Sequence, residues 1–236
     1  LFMKFNKQEK KKLVNSVFSN VHQKYDLMND IMSLGIHRGW KKKLLNWINP
    51  QEGERLIDVA SGTGDMAKLF SEKVKNKSII NCLEQNKDML EAGKKKLKYF
   101  KNISWHLGSA EKLPFKDNTF DYYTISYGIR NVTDINLTIK EAFRVLKTGG
   151  RFFCLEFSKI ENELLSKMYY QYSKIIPVIG KYIVGDAMPY KYLVESIDKF
   201  YNQEELLNII KKNNFSNVEY RNLSNGISAI HTGWKI

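Results

Sequence analysis

The chain has 236 residues, 43% hydrophobic and 27% charged, a balance that fits one domain with a buried core and excludes a disordered chain. The formal net charge of +13 fits an anionic partner (nucleic acid, an acidic membrane surface or a charged cofactor) and equally a lysine-rich solvated surface. Arginine is scarce beside lysine, which weighs against nucleic acid.

In chain order, residues 4 to 12 are basic and weakly patterned. Val14, Val17, Phe18 and Val21 then recur at helical spacing. YDLMNDIMSLGIHRGW (25–40) is dense in aromatic, Met and polar residues, and a second helix is predicted over Trp40 to Trp47. From Arg55 strands alternate with helices: RLIDVAS (55–61), a helix over Asp65 to Lys75, SIINCLE (78–84), a helix over Asp88 to Phe100, ISWHLGS (103–109), DYYTISYG (121–128), a helix over Asn136 to Leu146, a turn at Lys147 to Gly150, and RFFCLEFS (151–158). This rhythm predicts an α/β fold, a mostly parallel sheet with helices on both faces. Residues 161 to 200 interrupt it with apolar helical spacing, broken near Pro177 and Gly180. A helix over Gln203 to Asn213 follows. NVEYRNLS (217–224) and ISAIHTGW (227–234) flank Asn225-Gly226, a hairpin signal. The sheet is thus expected to have seven strands and to end in an antiparallel pair.

Cys82 and Cys154 lie in apolar strand-like runs and read as buried thiols. No His/Cys spacing fits a metal, so none is expected. No apolar run approaches the ~20 residues that span a bilayer. The opening LFMKFNKQEKKK has no apolar signal-peptide region, and its first residue, Leu1, leaves a lost targeting segment open.

The chemistry concentrates where the first strand meets the first helix. In Asp58-Val59-Ala60-Ser61-Gly62-Thr63-Gly64-Asp65, Gly62 and Gly64 allow angles and close approach that a Cβ would block. Thr63 offers a hydroxyl, and the helix N-terminus favours an anionic group. Such a turn at the C-terminal end of a parallel strand is a ligand crevice. Glu84, about 20 residues on, can accept both hydroxyls of a ribose. Gly62 to Ala67 also matches a dinucleotide fingerprint, so nicotinamide and S-adenosyl-L-methionine both come into view. Asp58 and Asp65 would repel a pyrophosphate and attract a sulfonium and an ammonium. Ser109-Ala110-Glu111 is placed to meet an adenine edge. These features favour S-adenosyl-L-methionine, as does, by fold analogy, the terminal hairpin of class I methyltransferases.

The motifs together resemble the ubiquinone/menaquinone biosynthesis C-methyltransferase family. VFSNVHQKYDLMNDIMSLGIHRGWK (17–41) is similar to its N-terminal signature and DVASGTGD (58–65) to its cofactor turn. LPFKDNTFDYYTISYGIRNVTD (113–134) is similar to its central signature, RVLKTGGRFFCLEFSK (144–159) to the strand that follows, and GISAIHTGWK (226–235) to its C-terminus. YDLMND and SYGIRNV carry most of the specificity. The resemblance implies a class I methyltransferase fold and a methyl group added to a ring carbon of a polyprenylated benzoquinol or naphthoquinol. It implies cofactor contacts at Thr63, Glu84, Ser109, Ala110 and Ser126. Glu84 stands where the family usually has Asp, and Ser61 where Gly is common.

Methyl transfer to carbon needs an electron-rich ring, held in line and relieved of its protons. Tyr127, Arg130 and Asn131 are the expected substrate-side residues. Arg130 would stabilise a developing phenolate and Asn131 orient a ring oxygen or a water. Arginine, with a pKa above ~12, is a poor base, so a water or carboxylate must take the proton. The alternative for Arg130 is a structural ion pair with the nearby helix. Within a single domain over 1–236, residues 13–48 are expected to form a helical lid, with Tyr25, Asp26, Asn29 and Asp30 over the site or, alternatively, simply capping and solvating helices. His22 and His37 read as polar packing residues. Residues 160–200 are expected to cover the substrate, with Met168, Tyr169, Tyr172, Ile175 and Ile176 lining a prenyl groove or, equally, forming core. Lys4, Lys7, Lys10, Lys11 and Lys12 fit contact with anionic lipid. A quinone-biosynthesis complex or a homodimer is compatible, and a nucleic-acid partner is not expected. The expected location is cytoplasmic and peripheral to the inner membrane in a bacterium, or the matrix face of the mitochondrial inner membrane. Rival functions are another methyltransferase, a nicotinamide oxidoreductase and a non-catalytic cofactor-binding scaffold.

Overall fold

A computed structural model describes Ser19, Asp30, Ser33, residues 35–184 and residues 187–236. The first predicted helix (Val14 to Val21), and His22, Tyr25, Asp26 and Asn29 of the lid, lie outside the described residues. So do Lys4 to Lys12.

The elements are α1 (His37–Ile48), β1 (Leu56–Val59), α2 (Asp65–Lys73), β2 (Ile80–Glu84), α3 (Lys87–Lys96), β3 (Ile103–Leu107), β4 (Phe120–Ser126), a 3₁₀ turn (Ile129–Asn131) and α4 (Ile135–Val145). They continue with β5 (Leu146–Phe157), α5 (Glu163–Val184), α6 (Met188–Asp198), α7 (Gln203–Lys212), β6 (Ser216–Leu223) and β7 (Ser228–Trp234). One seven-stranded sheet has the order β3-β2-β1-β4-β5-β7-β6. The first five strands run parallel and β7 is antiparallel to both β5 and β6. The strand order reverses between β1 and β4, the switch point where such sheets hold ligands.

Alternation along the strands builds two core layers. Leu56, Phe153, Leu155 and Phe157 face one layer, with α1 (Trp40, Leu44), α2 (Ala67, Phe70) and α6 (Tyr190, Leu193). Ile57, Val59, Phe152 and Cys154 face the other, with α4 (Ile139, Ala142) and α7 (Leu206, Ile210). All four residues of β1 are buried, as expected of a strand covered on both faces. Cys82 and Cys154 are buried free thiols.

Three local expectations need correction. First, Lys147 to Gly150 is not a separate turn before the strand; β5 begins at Leu146 and runs through it. The register jumps from Phe120↔Leu146 to Tyr122↔Arg151, so the extra residues bulge out of β5. Gly149, with φ +80°, keeps its backbone partner by donating to the Lys235 carbonyl at 2.7 Å. Second, no break occurs at Pro177 or Gly180; α5 continues through both. Proline removes one helical hydrogen bond, and tertiary packing outweighs that loss. A Cβ on Gly180 would sit 2.1 Å from the Tyr190 ring, so glycine here permits α6 to press against α5. Third, the hairpin loop is longer than Asn225-Gly226. Leu223 pairs with Ser228, and Ser224, Asn225 and Gly226 all have positive φ. Ser224 Oγ accepts from the Trp40 indole at 3.1 Å, tying the hairpin to α1.

Candidate active site

Two adjoining clefts open at the C-terminal ends of β1, β2 and β4. The larger, about 630 Å³, is lined by Ala60, Gly62, Glu84, Asn86, Ala110, Tyr127 and Asn131 among others. The smaller, about 360 Å³, is lined by Lys41, Asp58, Thr63, Asp65, Ser126 and Tyr127 among others. Ala60, Gly62 and Tyr127 border both. The linings suit a small-molecule ligand with its less polar part in the larger cleft and charged groups in the smaller.

The glycine turn is held by strain and by packing. Ala60, Gly62 and Gly64 have φ of +50°, +56° and +83°. Gly64 lines neither cleft; a Cβ there would meet Trp105 and Leu97 at 2.8 Å. Its role is to let the turn sit on the core behind it. Across the cleft, Tyr127 has φ +57°, and a Cβ on Gly128 would lie 2.5 Å from Ala60 Cβ. The turn after β1 and the SYG segment after β4 are therefore in direct contact.

In the larger cleft, buried Glu84 braces the turn. Its Oε2 accepts from Gly62 N at 2.9 Å and its Oε1 from Asn86 N at 2.8 Å. Desolvation raises its pKa, opposed by these hydrogen bonds. The Gln85 backbone also donates to this carboxylate, and the remaining lone-pair capacity can take a hydroxyl donor. Asn86 caps α3 through Met89 N, and its Nδ2 donates to Ser19 Oγ at 3.0 Å, which brings Ser19 to the cleft rim. Ala110 and Glu111 line the cleft, whereas Ser109 does not; its hydroxyl turns to Glu111 Oε2. Glu111 Oε1 in turn accepts from Thr133 N at 2.7 Å and fixes the loop before α4.

In the smaller cleft, Asp58 is buried and accepts from Thr124 Oγ1 at 2.7 Å. Burial pushes its pKa up to about 7, against the Thr124 hydrogen bond and the Lys41 charge. Asp65 is bound by Lys41 Nζ at 2.7 Å and Lys96 Nζ at 2.8 Å. Those ammonium groups outweigh desolvation and hold its carboxyl well below the usual range. The sequence-based picture of two bare carboxylates beside the turn therefore needs correction: Asp65 is neutralised and Lys41 adds a cation to the wall. Ser126 Oγ is buried on this wall with no hydrogen-bond partner among the described residues. A buried orphan hydroxyl, a buried carboxylate and a buried ammonium around one cleft fit a zwitterionic ligand end.

Behind Tyr127 lies a buried ion pair. Arg130 donates from Nη1 to Glu156 Oε1 at 2.6 Å and to the Tyr127 carbonyl at 2.6 Å. Burial raises the Glu156 pKa, and the Arg130 charge lowers it in opposition. The ion-pair partner of Arg130 among the described residues is thus on strand β5, and the residue lines neither cleft. Asn131 does line the cleft, and its Oδ1 accepts from the Tyr192 hydroxyl at 2.8 Å. Burial pushes the Tyr192 pKa up to about 12, so it remains a donor at neutral pH.

Asp30 does not stand free: its carboxylate contacts His37 Nε2 at 2.9 Å and Arg38 at 2.7 Å. His37 is buried and its pKa is lowered by desolvation, a packing role. Met168 and Ile175 are exposed, whereas Tyr169, Tyr172 and Ile176 turn inward, so these five residues line no single groove. Sequence reasoning missed Lys41, Asn86, Glu156 and Tyr192. Asn86 carried a signal, two residues past Glu84 at a helix N-cap; the others come from distant segments.

A model of the ubiE/COQ5 methyltransferase family matches residues 4–235. The chain belongs to that family. It is 50% identical over 242 residues to the ubiquinone/menaquinone biosynthesis C-methyltransferase UbiE of Rickettsia bellii, covering 100% of this chain and 97% of that one. It is 45% identical over 274 residues to the mitochondrial 2-methoxy-6-polyprenyl-1,4-benzoquinol methylase of Gallus gallus, covering 100% and 88%. A solved SAM-dependent methyltransferase of Thermotoga maritima, a possible histamine N-methyltransferase, superposes with a TM-score of 0.68 at 20% identity, covering 94% and 99%. That likeness establishes the class I methyltransferase fold. As a ubiE/COQ5 member the chain is a SAM-dependent C-methyltransferase.

Proposed function

We propose that this ubiE/COQ5 methyltransferase transfers the methyl group of S-adenosyl-L-methionine to a ring carbon of a polyprenylated benzoquinol or naphthoquinol. The observation that carries the assignment of groups is the pair of clefts meeting at Gly62 and Tyr127. The larger suits a nucleoside: Glu84 takes the ribose hydroxyls, and Ala110 and Glu111 flank the base. The smaller suits the amino-acid end: Asp58 takes the ammonium, Lys41 and Thr63 the carboxylate, and the orphan Ser126 hydroxyl a remaining polar atom. Gly62 and Gly64 shape the turn between them. Of the residues expected to contact the cofactor, Ser109 is reassigned to orienting Glu111.

The bound sulfonium supplies an electrophilic methyl group. The chain's own residues must hold the quinol as its phenolate and keep bulk water out. Asn131, fixed by Tyr192, presents its amide to a ring oxygen or a water. Tyr127 separates the two clefts. Arg130 lies behind Tyr127 and Asn131 and contributes its field, reduced by the paired Glu156 charge. A water held at Asn131 accepts the ring proton. We assign residues 13–48 to a lid, supported by the Ser19–Asn86 hydrogen bond, and residues 160–200 to a substrate cover, supported by the Tyr192–Asn131 hydrogen bond. Among the described residues no group of three His, Cys, Asp or Glu is placed to hold a metal, and no helix is long and apolar enough to cross a membrane.

The test is an assay with methyl-labelled S-adenosyl-L-methionine and both quinol classes under reducing conditions. Label in the ring of at least one class is expected. Cofactor binding without transfer to either would refute the substrate assignment.

A further inference from the structure

Helix α5 presents two unlike faces. At 100° per residue, Leu164, Met168, Ile175, Val178 and Tyr182 fall within a stripe about 80° wide. All five are 54 to 87% exposed. Exposed Gln171 falls on the same stripe between Met168 and Ile175; single exposed apolar residues are ordinary, but five apolar residues to one polar along about 27 Å of one helix make an interaction surface. Lys167, Lys174 and Lys181, spaced by sevens and all exposed, run along one border of the stripe. Lys174 Nζ lies 4.2 Å from the Tyr170 ring centroid, and Lys167 pairs with Glu163 one turn earlier. The other border is the packed face: Tyr169, Ser173, Ile176 and Gly180. Ile176 joins the core and Gly180 meets Tyr190. The Tyr169 hydroxyl is buried with no hydrogen-bond partner among the described residues, close enough to Arg130 to feel its charge.

We infer that α5 is an interfacial helix that seats the protein on an anionic lipid bilayer, apolar stripe inward and lysines at the phosphates. The combination of an apolar stripe with a cationic border matches the acyl and headgroup layers respectively. The surplus of positive charge on the whole chain, +13, adds attraction at long range. A second copy is a poorer occupant: antiparallel pairing through this stripe sets the two lysine rows side by side, like charge against like. Helix α6, which packs on α5 where Gly180 meets Tyr190, carries Tyr192, whose hydroxyl holds Asn131, so the docked helix is joined to the cleft through α6. The account of why docking helps rests on the quinol reading above; the docking itself does not.

The experiment is sedimentation of the full chain with vesicles of phosphatidylcholine alone or mixed with phosphatidylglycerol. Salt-sensitive binding to the anionic vesicles is expected. Lys167→Ser, Lys174→Ser and Lys181→Ser should each cost about fivefold, and Met168→Glu and Ile175→Glu should each weaken it more than tenfold. Both positions are exposed, so melting temperature and turnover of a short-chain quinol in solution should be unchanged, while turnover of a long-prenyl quinol in vesicles falls. Variants that bind vesicles like the parent would overturn the inference. So would a change from dimer to monomer in sedimentation equilibrium with vesicle binding intact, which assigns the stripe to a second copy. Loss of transfer to every soluble quinol would defeat the functional reading and leave the vesicle result standing.

Discussion

Replacing Glu156 by alanine leaves the Arg130 guanidinium buried without its carboxylate. Only 5% of the Arg130 side chain and 1% of the Glu156 side chain are exposed, so water cannot substitute. Breaking a buried pair by removing one partner costs about 3–5 kcal/mol. The Phe157 backbone N–H, 2.9 Å from Glu156 Oε1, loses its acceptor in the same step. With an unfolding entropy of about 2.1 cal/mol/K per residue, a chain of 236 residues has roughly 0.5 kcal/mol/K in total. Glu156→Ala should therefore lower the melting temperature by about 6–10 °C. Glu156→Gln keeps a neutral acceptor for both donors and should lose about half as much. The informative partner is Arg130→Met combined with Glu156→Leu, which removes both charges and should be clearly more stable than the two single losses added together, though still below the parent because the Phe157 N–H and the Tyr127 carbonyl keep no side-chain partner. That double variant should fold and bind cofactor, yet lose most methyl transfer, separating the pair's role in stability from its role at the ring. A Glu156→Ala melting temperature within about 2 °C of the parent, or a double variant as unstable as the sum of the single ones, would refute the reasoning.

Three further outcomes follow from the clefts. Lys41→Met should weaken S-adenosyl-L-methionine binding by about tenfold or more, the worth of a charge-assisted hydrogen bond, but decarboxylated S-adenosylmethionine by under about threefold in calorimetry; equal losses would remove Lys41 from the carboxylate. Asp58, with its pKa pushed up to about 7, is protonated in the free protein below that pH and ionised above it. Affinity for the cofactor's ammonium should thus rise with pH, about tenfold per unit, from pH 5.5 toward 7 and then level off. Asp58→Asn should abolish that slope, and a slope that persists would exclude Asp58 as its source. Gly128→Ala places a Cβ 2.5 Å from Ala60 Cβ. Such overpacking costs about 1–3 kcal/mol and should weaken cofactor binding along with stability, as read by thermal melts with and without cofactor.

The fold was legible because its signals are local. Alternating strand and helix patterns gave seven strands in the right places, and Asn225-Gly226 announced the closing antiparallel pair. The errors came where tertiary packing overrode a local breaker. Pro177 and Gly180 look like a helix end, but the close approach of Tyr190 makes the glycine a packing residue. Lys147 to Gly150 has turn composition, yet β7's neighbour Lys235 supplies its backbone partners. At the clefts, Asp58, Gly62, Thr63, Glu84 and Asn131 stood out because each lies in or just past the C-terminal end of β1, β2 or β4, ends that the sequence pattern locates. Lys41 and Glu156 could not: a lysine in a helix and a glutamate in an apolar strand carry no mark of the partners that folding brings to them. The charge argument from Asp65 failed for the same reason, since Lys41 and Lys96 lie 24 and 31 residues away.

The contact between Ala60 and Gly128 has a consequence for chimeras within this fold. The segment proposed to read the acceptor and the turn proposed to hold the donor share one van der Waals seam, with no space at Gly128 for a Cβ beside Ala60. Transplanting SYGIRNV into another methyltransferase therefore carries residue 60 with it: a host with valine or leucine at that place would push the graft out of register. On the proposed assignment, acceptor choice and donor grip travel as one piece, and recombination that respects this seam should yield folded hybrids far more often than recombination that cuts through it.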